Sequence, residues 1–148
     1  MSTFGNRNMI ETKKDYYSNG NLMSESFHKD GLLHGMEKWY LGNGMLFWEI
    51  PYDNGYRHGI ETRWYENGNL CWKIRYKNDK IYGLKRWYES GVCHKETYYI
   101  NGKFHGVDKT WQESGELKEI RYFLYNERVT EEEYKKHELI LKIVGIED

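Results

Sequence analysis

From Gly20 to Thr130 the chain alternates short runs of apolar and polar residues with turn residues, and the alternation keeps one frame. The glycines that close the first turn of each unit are Gly20, Gly44, Gly68, Gly91 and Gly115, spaced 24, 24, 23 and 24 residues apart. Eleven residues after each comes a second turn position, occupied by Gly31, Gly55, Asp79, Gly102 and Asn126. Asp and Asn are among the residues that best replace glycine where φ is positive. Four residues further on stand Gly35, Gly59, Gly83 and Gly106, with Thr130 in the fifth unit. A frame held this long is an internal repeat.

Within each unit, side chains after the first glycine recur at offsets of equal parity: Leu22, Leu46, Leu70, Cys93 and Leu117, then His28, Tyr52, Tyr76, Tyr99 and Phe123. Period two predicts a half-buried strand. A shorter strand precedes each first turn, with the ring-bearing pairs Tyr16/Tyr17, Trp39/Tyr40, Trp64/Tyr65 and Trp87/Tyr88, and Thr110/Trp111 in the last unit. Asn-Gly at 19, 43 and 67 and Ser-Gly at 90 and 114 are hairpin signals. Units 2 and 5 read as carrying an extra residue before this glycine, absorbed by a longer or bulged loop.

The expected fold class is therefore all-β, an elongated single-layer antiparallel β-meander of five two-strand repeats of about 23 residues. At ~4.8 Å per strand each repeat adds about 10 Å of sheet, giving a ribbon on the order of 50 Å. Both ends need covers. At the C-terminus Thr130 and Glu133 form a capping box, and Tyr134, His137, Ile140, Leu141 and Val144 fall on one helical face. This predicts a short capping α-helix over 131–144 that folds across the last hairpin and shields its edge. The organisation is then an N-terminal cap or irregular segment over 1–12, repeats over 13–129, and capping helix and tail over 130–148. Phe4 to Ile10 is expected to supply the N-terminal cover.

Composition sharpens this. Aromatics make up 17% of the 148 residues, and 15 Gly stand against one Pro, which suits short strands and tight turns. The 22 basic and 23 acidic side chains are interleaved, for a net charge of −1, so bulk-charge binding to nucleic acid or anionic membrane is disfavoured. Cys71 and Cys93 form no metal or disulfide framework, which favours a reducing compartment. No leader-like or membrane-spanning apolar run is present in the sequence.

Chemistry is sparse. His34, His58 and His105, with Tyr82, occupy equivalent joints, but repeats ~10 Å apart cannot bring a column of imidazoles to one ion. Each ring is expected to pack on the following strand and to bond across the turn, so neither a metal nor a cofactor is expected. Cys93 and His94 point to opposite faces and form no dyad. Glu61, Glu66, Glu96 and Glu113 alternate with basic residues and read as a solvated face. The glycines lack the helix and Lys-Ser/Thr of a phosphate loop, and no enzyme is expected.

The rings themselves remain. Trp39, Trp64, Trp87 and Trp111 read as one column on the short strands, and Tyr52, Tyr76 and Tyr99 as another on the long ones. Packing along the ribbon accounts for most of them. Trp48 and Trp72 stand apart, because the other units place Ser24, Lys95 and Glu119 at that offset. Phe47, Trp48, Trp72, Tyr52 and Tyr76 form the candidate aromatic binding patch, with Cys71 the expected register neighbour of Phe47.

NGKFHG at 101–106, YENG at 65–68 and KDGLLHG at 29–35 resemble the MORN repeat in its variant, YwqK antitoxin-type form. The resemblance covers about residues 13 to 129, and the C-terminal TEEEYKKHELILKIVGIED is similar to the tails of giant-virus MORN proteins. It implies a scaffold or protein-interaction role, including self-association as a homodimer, with no catalytic residues. The alternatives it implies are an antitoxin or immunity-like protein that neutralises a toxin, and a peripheral phospholipid-binding module. The expected location is cytoplasmic, in the host cell cytoplasm or virion if viral, and not secreted. Asp79, Asn126, Tyr82 and Thr130 depart from the family pattern, so units 3 and 5 are expected to have altered joints.

Overall fold

The computed structural model describes residues 9–144, with side chains through 142. Most of the expected N-terminal cover, Phe4 to Ile10, lies outside the described residues. So do the Val144 side chain and the tail from 145 on. The strands are β1 Ile10–Tyr16, β2 Leu22–Lys29, β3 Leu32–Leu33, β4 Gly35–Tyr40, β5 Leu46–Asp53, β6 Tyr56–Arg57 and β7 Gly59–Trp64. They continue as β8 Leu70–Lys77, β9 Lys80–Glu89, β10 Val92–Ile100, β11 Lys103–Trp111, β12 Leu117–Leu124 and β13 Glu127–Val129, followed by the helix α1 Glu131–Val144. All pairings are antiparallel between sequential partners in one open sheet, with β3 and β6 short stubs that precede β4 and β7. The five-repeat meander capped by a helix is the observed fold.

The second turns carry the joint between repeats. In each, two successive residues have positive φ, such as Asp30 at 50° and Gly31 at 81°, or Asn78 at 49° and Asp79 at 63°. That is the hairpin turn whose twist matches the flanking strands. The amide of Gly55, Asp79, Gly102 and Asn126 donates to the carbonyl of Leu33, Arg57, Ile81 and Phe104 of the preceding repeat, at 2.8–3.0 Å. Asp79 and Asn126 therefore keep the joint that glycine makes elsewhere. Each also adds a bond, because Asp79 Oδ1 accepts the Arg57 amide at 2.9 Å and Asn126 Oδ1 accepts that of Phe104 at 2.8 Å. The backbone donation from Arg57 holds the Asp79 carboxyl below the ordinary range. Unit 5 does end differently: β13 is three residues long and the chain leaves the sheet at Thr130.

The first turns correct the expected alignment. Units 1, 2, 3 and 5 share one turn, opened by Tyr17, Leu41, Tyr65 and Gln112, whose carbonyls accept the amides of Gly20, Gly44, Gly68 and Gly115. Unit 4 is the exception, with a tighter turn in which Ser90 and Gly91 both have positive φ and Glu89 pairs with Val92. Units 2 and 5 thus have no extra residue, and the missing one belongs to unit 4. In consequence Trp39, Trp64, Trp87 and Trp111 do not form one column. Trp64 and Trp111 pair with Leu70 and Leu117, as Tyr40 does with Leu46, whereas Trp39 pairs with Trp48 and Trp87 with Lys95. A bulge recurs just after every first turn, leaving Met23, Phe47, Cys71, His94 and Lys118 outside the ladder.

The core is thin and partly polar. Among the described residues Ile50, Cys71, Ile74 and Tyr76 are buried, alongside Ser24, Glu61, Thr62, Thr97, His105 and Asp108. An aromatic residue is the cross-strand partner of each joint glycine: Gly35, Gly59, Gly83 and Gly106 pair with Tyr52, Tyr76, Tyr99 and Phe123.

The capping box forms, with the Glu133 amide donating to Thr130 Oγ1 at 3.2 Å and the Thr130 amide to Glu133 Oε2 at 2.8 Å. The helix packs Tyr134 on Tyr122 and His137 on His105 and Tyr125, so it covers the face of the last hairpin rather than its edge. Ile140, expected on the packing face, is exposed along with Leu139. Its place is taken by Glu138, which with Tyr134, His137 and Leu141 is partly covered.

Gly59 tests the joint. Its φ is 121°, and a Cβ there would lie 3.0 Å from Pro51 Cγ, whereas one at Gly20 would meet nothing within 4 Å. Gly59→Ala is expected to cost about 1–3 kcal/mol in urea unfolding, and Gly20→Ala, whose Cβ meets nothing within 4 Å, measurably less. Equal costs at the two sites would contradict this account.

Candidate binding site

The corrected register brings the tryptophans together. Trp39 on β4 pairs with Trp48 on β5, Trp48 with Arg63 on β7, Arg63 with Trp72 on β8, and Trp72 with Trp87 on β9. Cross-strand partners share a face, so these five side chains form one row across adjacent strands, spanning roughly 19 Å at ~4.8 Å per strand. Trp72 and Trp87 stack with centroids 5.3 Å apart. The Arg63 guanidinium lies 4.6 Å from the Trp72 ring and 5.6 Å from that of Trp48, a cation held between two indoles.

Beneath the row, two residues along the strand, lies Glu61. It is only 4% exposed. Its Oε1 accepts the indole N–H of Trp48 at 3.1 Å and of Trp72 at 3.2 Å, while Arg57 stands 3.9 Å from Oε2. One carboxylate thus fixes the orientation of both rings. This overturns the reading of Glu61 as part of a solvated face. Glu96 also departs from that reading, because it accepts Arg86 Nε at 2.6 Å, whereas Glu66 and Glu113 are exposed as expected.

Tyr52 and Tyr76 sit in a different row, opposite Gly35 and Gly59, and both phenols are pushed up to about 12. Burial is the main cause in each, followed by the charge of Glu37 for Tyr52 and of Glu61 for Tyr76. The Arg57 guanidinium covers the Tyr76 ring at 4.2 Å. Phe47 is the bulge residue of β5, and Arg63 lies 6.0 Å from its ring. Phe47 and Cys71 are not strand neighbours, because β7 runs between their strands. Both nonetheless line a mostly apolar cavity of about 670 Å³ with Arg63, Trp64, Trp72 and Trp87.

Three participants escaped sequence reasoning. Trp39 and Trp87 fall in a false column when the units are aligned by their aromatic pairs, and Arg63 carries no mark in the sequence. Glu61 carried a signal, since Glu37, Glu61 and Asp108 each stand two residues after a joint glycine. Asp108 is 2% exposed and accepts Thr97 Oγ1 at 2.5 Å and Arg121 Nη2 at 2.6 Å, the counterpart network two repeats on.

Two of the joint histidines reach the following turn, with His34 Nδ1 3.3 Å from Asp53 Oδ1 and His58 Nδ1 3.3 Å from Asn78 Oδ1, whereas His105 is buried under α1 against Tyr125 and His137. Cys93 shows no activation, because burial and then Glu96 push its thiol up and its S–H donates to the Lys95 carbonyl at 3.7 Å.

The row of oriented rings lies on an open, repeat-built sheet. Residues 12–30 and 57–78 match the family model described as the MORN repeat variant. Both stretches span a short strand, a first turn and a long strand, β1 with β2 and β7 with β8, so two of the repeats are similar to the MORN variant. MORN repeats are generally protein or lipid interaction modules and not enzymes. No curated protein matches the chain. No described helix is long and apolar enough to cross a membrane.

Glu61→Leu strips the acceptor from two indoles and is expected to destabilise by about 1–3 kcal/mol, against about 0.5 kcal/mol or less for Glu66→Leu, by urea unfolding. Alkaline titration gives a second check. A phenol pKa of about 12, above its ordinary ~10, means that the neutral form is favoured by the fold. The stabilisation is present below pH ~10 and is lost as pH rises towards ~12. Ultraviolet titration should show two late-ionising tyrosines, and Glu61→Gln should bring Tyr76 down without moving Tyr52.

Proposed function

We propose that the chain is a non-enzymatic interaction or scaffold module that holds a protein partner, another copy of itself included, on the row from Trp39 to Trp87. One observation carries this reading: Trp48 and Trp72 donate their indole N–H groups to the same buried carboxylate, with Arg63 between the rings. Rings oriented before binding lose less side-chain freedom on association, and Trp and Arg are the residues most often found at the energetic centres of interfaces. Trp87, at the end of the row, is 38% exposed. The interleaved charge and the net value of −1 favour a protein partner over an anionic lipid surface.

Trp72→Ser and Trp48→Ser should lower partner capture, or dimer mass by light scattering, while far-ultraviolet circular dichroism is retained. Because these rings also bond Glu61, Trp87→Ser serves as the decisive variant: it removes no indole bond to that carboxylate, and it should weaken binding by about 1–3 kcal/mol. Undiminished capture and mass in Trp87→Ser would reject the row as the interface.

A further inference from the structure

The second site lies at the other end of the sheet and on its other face. Val107 and Tyr122 pair on one face of β11 and β12, and Asp108 and Arg121 on the other. Tyr134 packs on Tyr122, so α1 lies on the Val107 face. Asp108 pairs with Thr97, and Thr97 with Lys85, two residues from Trp87, so the tryptophan row is on the opposite face.

Under the helix, His105 of β11 meets His137 and Glu138 of α1. Each offers one donor atom, and the three atoms lie within 4.8 Å of one another. Among the described residues this is the one cluster of three or more such side chains. His105 is 3% exposed, and His137 Nδ1 is buried without a hydrogen-bond partner. The two imidazole centroids are 5.8 Å apart, edge to face, and the Tyr125 ring lies 4.5 Å from His105 and 6.2 Å from His137. A buried imidazole nitrogen without a partner, in a ring that stands beside a second imidazole and a carboxylate, calls for a further group to satisfy it.

We propose that His105, His137 and Glu138 bind a zinc ion that staples α1 to the sheet. Two imidazoles and one carboxylate suit zinc, whereas calcium and magnesium take oxygen sets. A tetrahedral ion with bonds of about 2.0–2.2 Å sets its ligands roughly 3.4 Å apart. From the present separations a side-chain movement of about an ångström closes the shell. A cavity of about 360 Å³ lined by both His105 and Glu138 provides an entry path and room for water as the fourth ligand. One ligand comes from the sheet and two from the helix, so binding requires the docked helix and stabilises it in return.

The test is calorimetric titration of chelator-treated full chain with zinc alone at neutral pH, with amide hydrogen exchange followed over 131–144. One saturable site is expected, with slowed exchange across the helix on binding. His137→Ala and Glu138→Gln, which lie on the helix and leave the buried His105 in place, should weaken binding by more than the ~10–100-fold that loss of an outer-shell partner costs. His58→Ala should bind as the parent does. In the cobalt-substituted protein a tetrahedral spectrum without a thiolate charge-transfer band would exclude Cys71 and Cys93 as ligands. The site is overturned by no saturable binding, by undiminished binding in both helix variants, by a thiolate band, or by binding that leaves helix exchange unchanged.

Discussion

A sheet with one layer has nothing to bury its faces against, and most of this molecule follows from that constraint. Tertiary stability normally comes from packing two layers. Here apolar area must be covered within the sheet, with ring beside ring and aromatic residues paired with glycine. The large flat side chains serve this purpose, since Tyr and Trp cover neighbours along a strand ladder while leaving a polar edge towards water. The pairing of Tyr52, Tyr76, Tyr99 and Phe123 with four joint glycines is the repeated expression of it. So is the polar character of the buried positions, where Glu61 and Asp108 are admitted because each is surrounded by donors.

Because each repeat touches only its neighbours, the joints decide whether the sheet grows. Every second turn after the first is tied to the repeat before it by a backbone bond, and this tie tolerates Gly, Asp or Asn provided that φ is positive. Asp79 and Asn126 replace the flexibility of glycine with an additional side-chain acceptor. The departures from the repeat pattern at these two positions thus reinforce the joints. The change at Thr130 differs in kind, because it starts a helix with its own cap and ends strand addition.

The sequence carried the fold nearly whole, since period-two runs between turn residues leave few alternatives to a meander. It carried the site less well, for two physical reasons. Aromatic identity is a poor guide to turn length, because it displaces a one-residue difference in unit 4 into units 2 and 5; in a strand one residue exchanges the faces, which separates Trp39 from Trp48. The second reason concerns charge. A carboxylate between basic residues looks solvated, and only the convergence of Trp48 and Trp72 from the two flanking strands shows that Glu61 is enclosed. The helix face was misjudged for a related cause: the surface it meets is lined by Tyr122, His105 and Tyr125, so Glu138 is accommodated where Ile140 was expected.

The position of the tryptophan row follows from what its ends become. At the offset that holds Trp48 and Trp72, unit 4 has Lys95 and unit 5 has Glu119. Lys95 Nζ lies 3.5 Å from Asp108, and Glu119 lies 3.8 Å from both Arg121 and Arg128. Those side chains are occupied with one another, and Asp108 spends on Thr97 and Arg121 the acceptors that Glu61 spends on indoles. In the first unit Ser24 donates to Asp15 at 3.1 Å, which closes the other side. The same middle-row carboxylate therefore has two outcomes. In units 4 and 5 it draws in cations and makes a polar face complete in itself, and in units 2 and 3 it fixes the edges of two indoles whose faces meet Arg63 and Trp87.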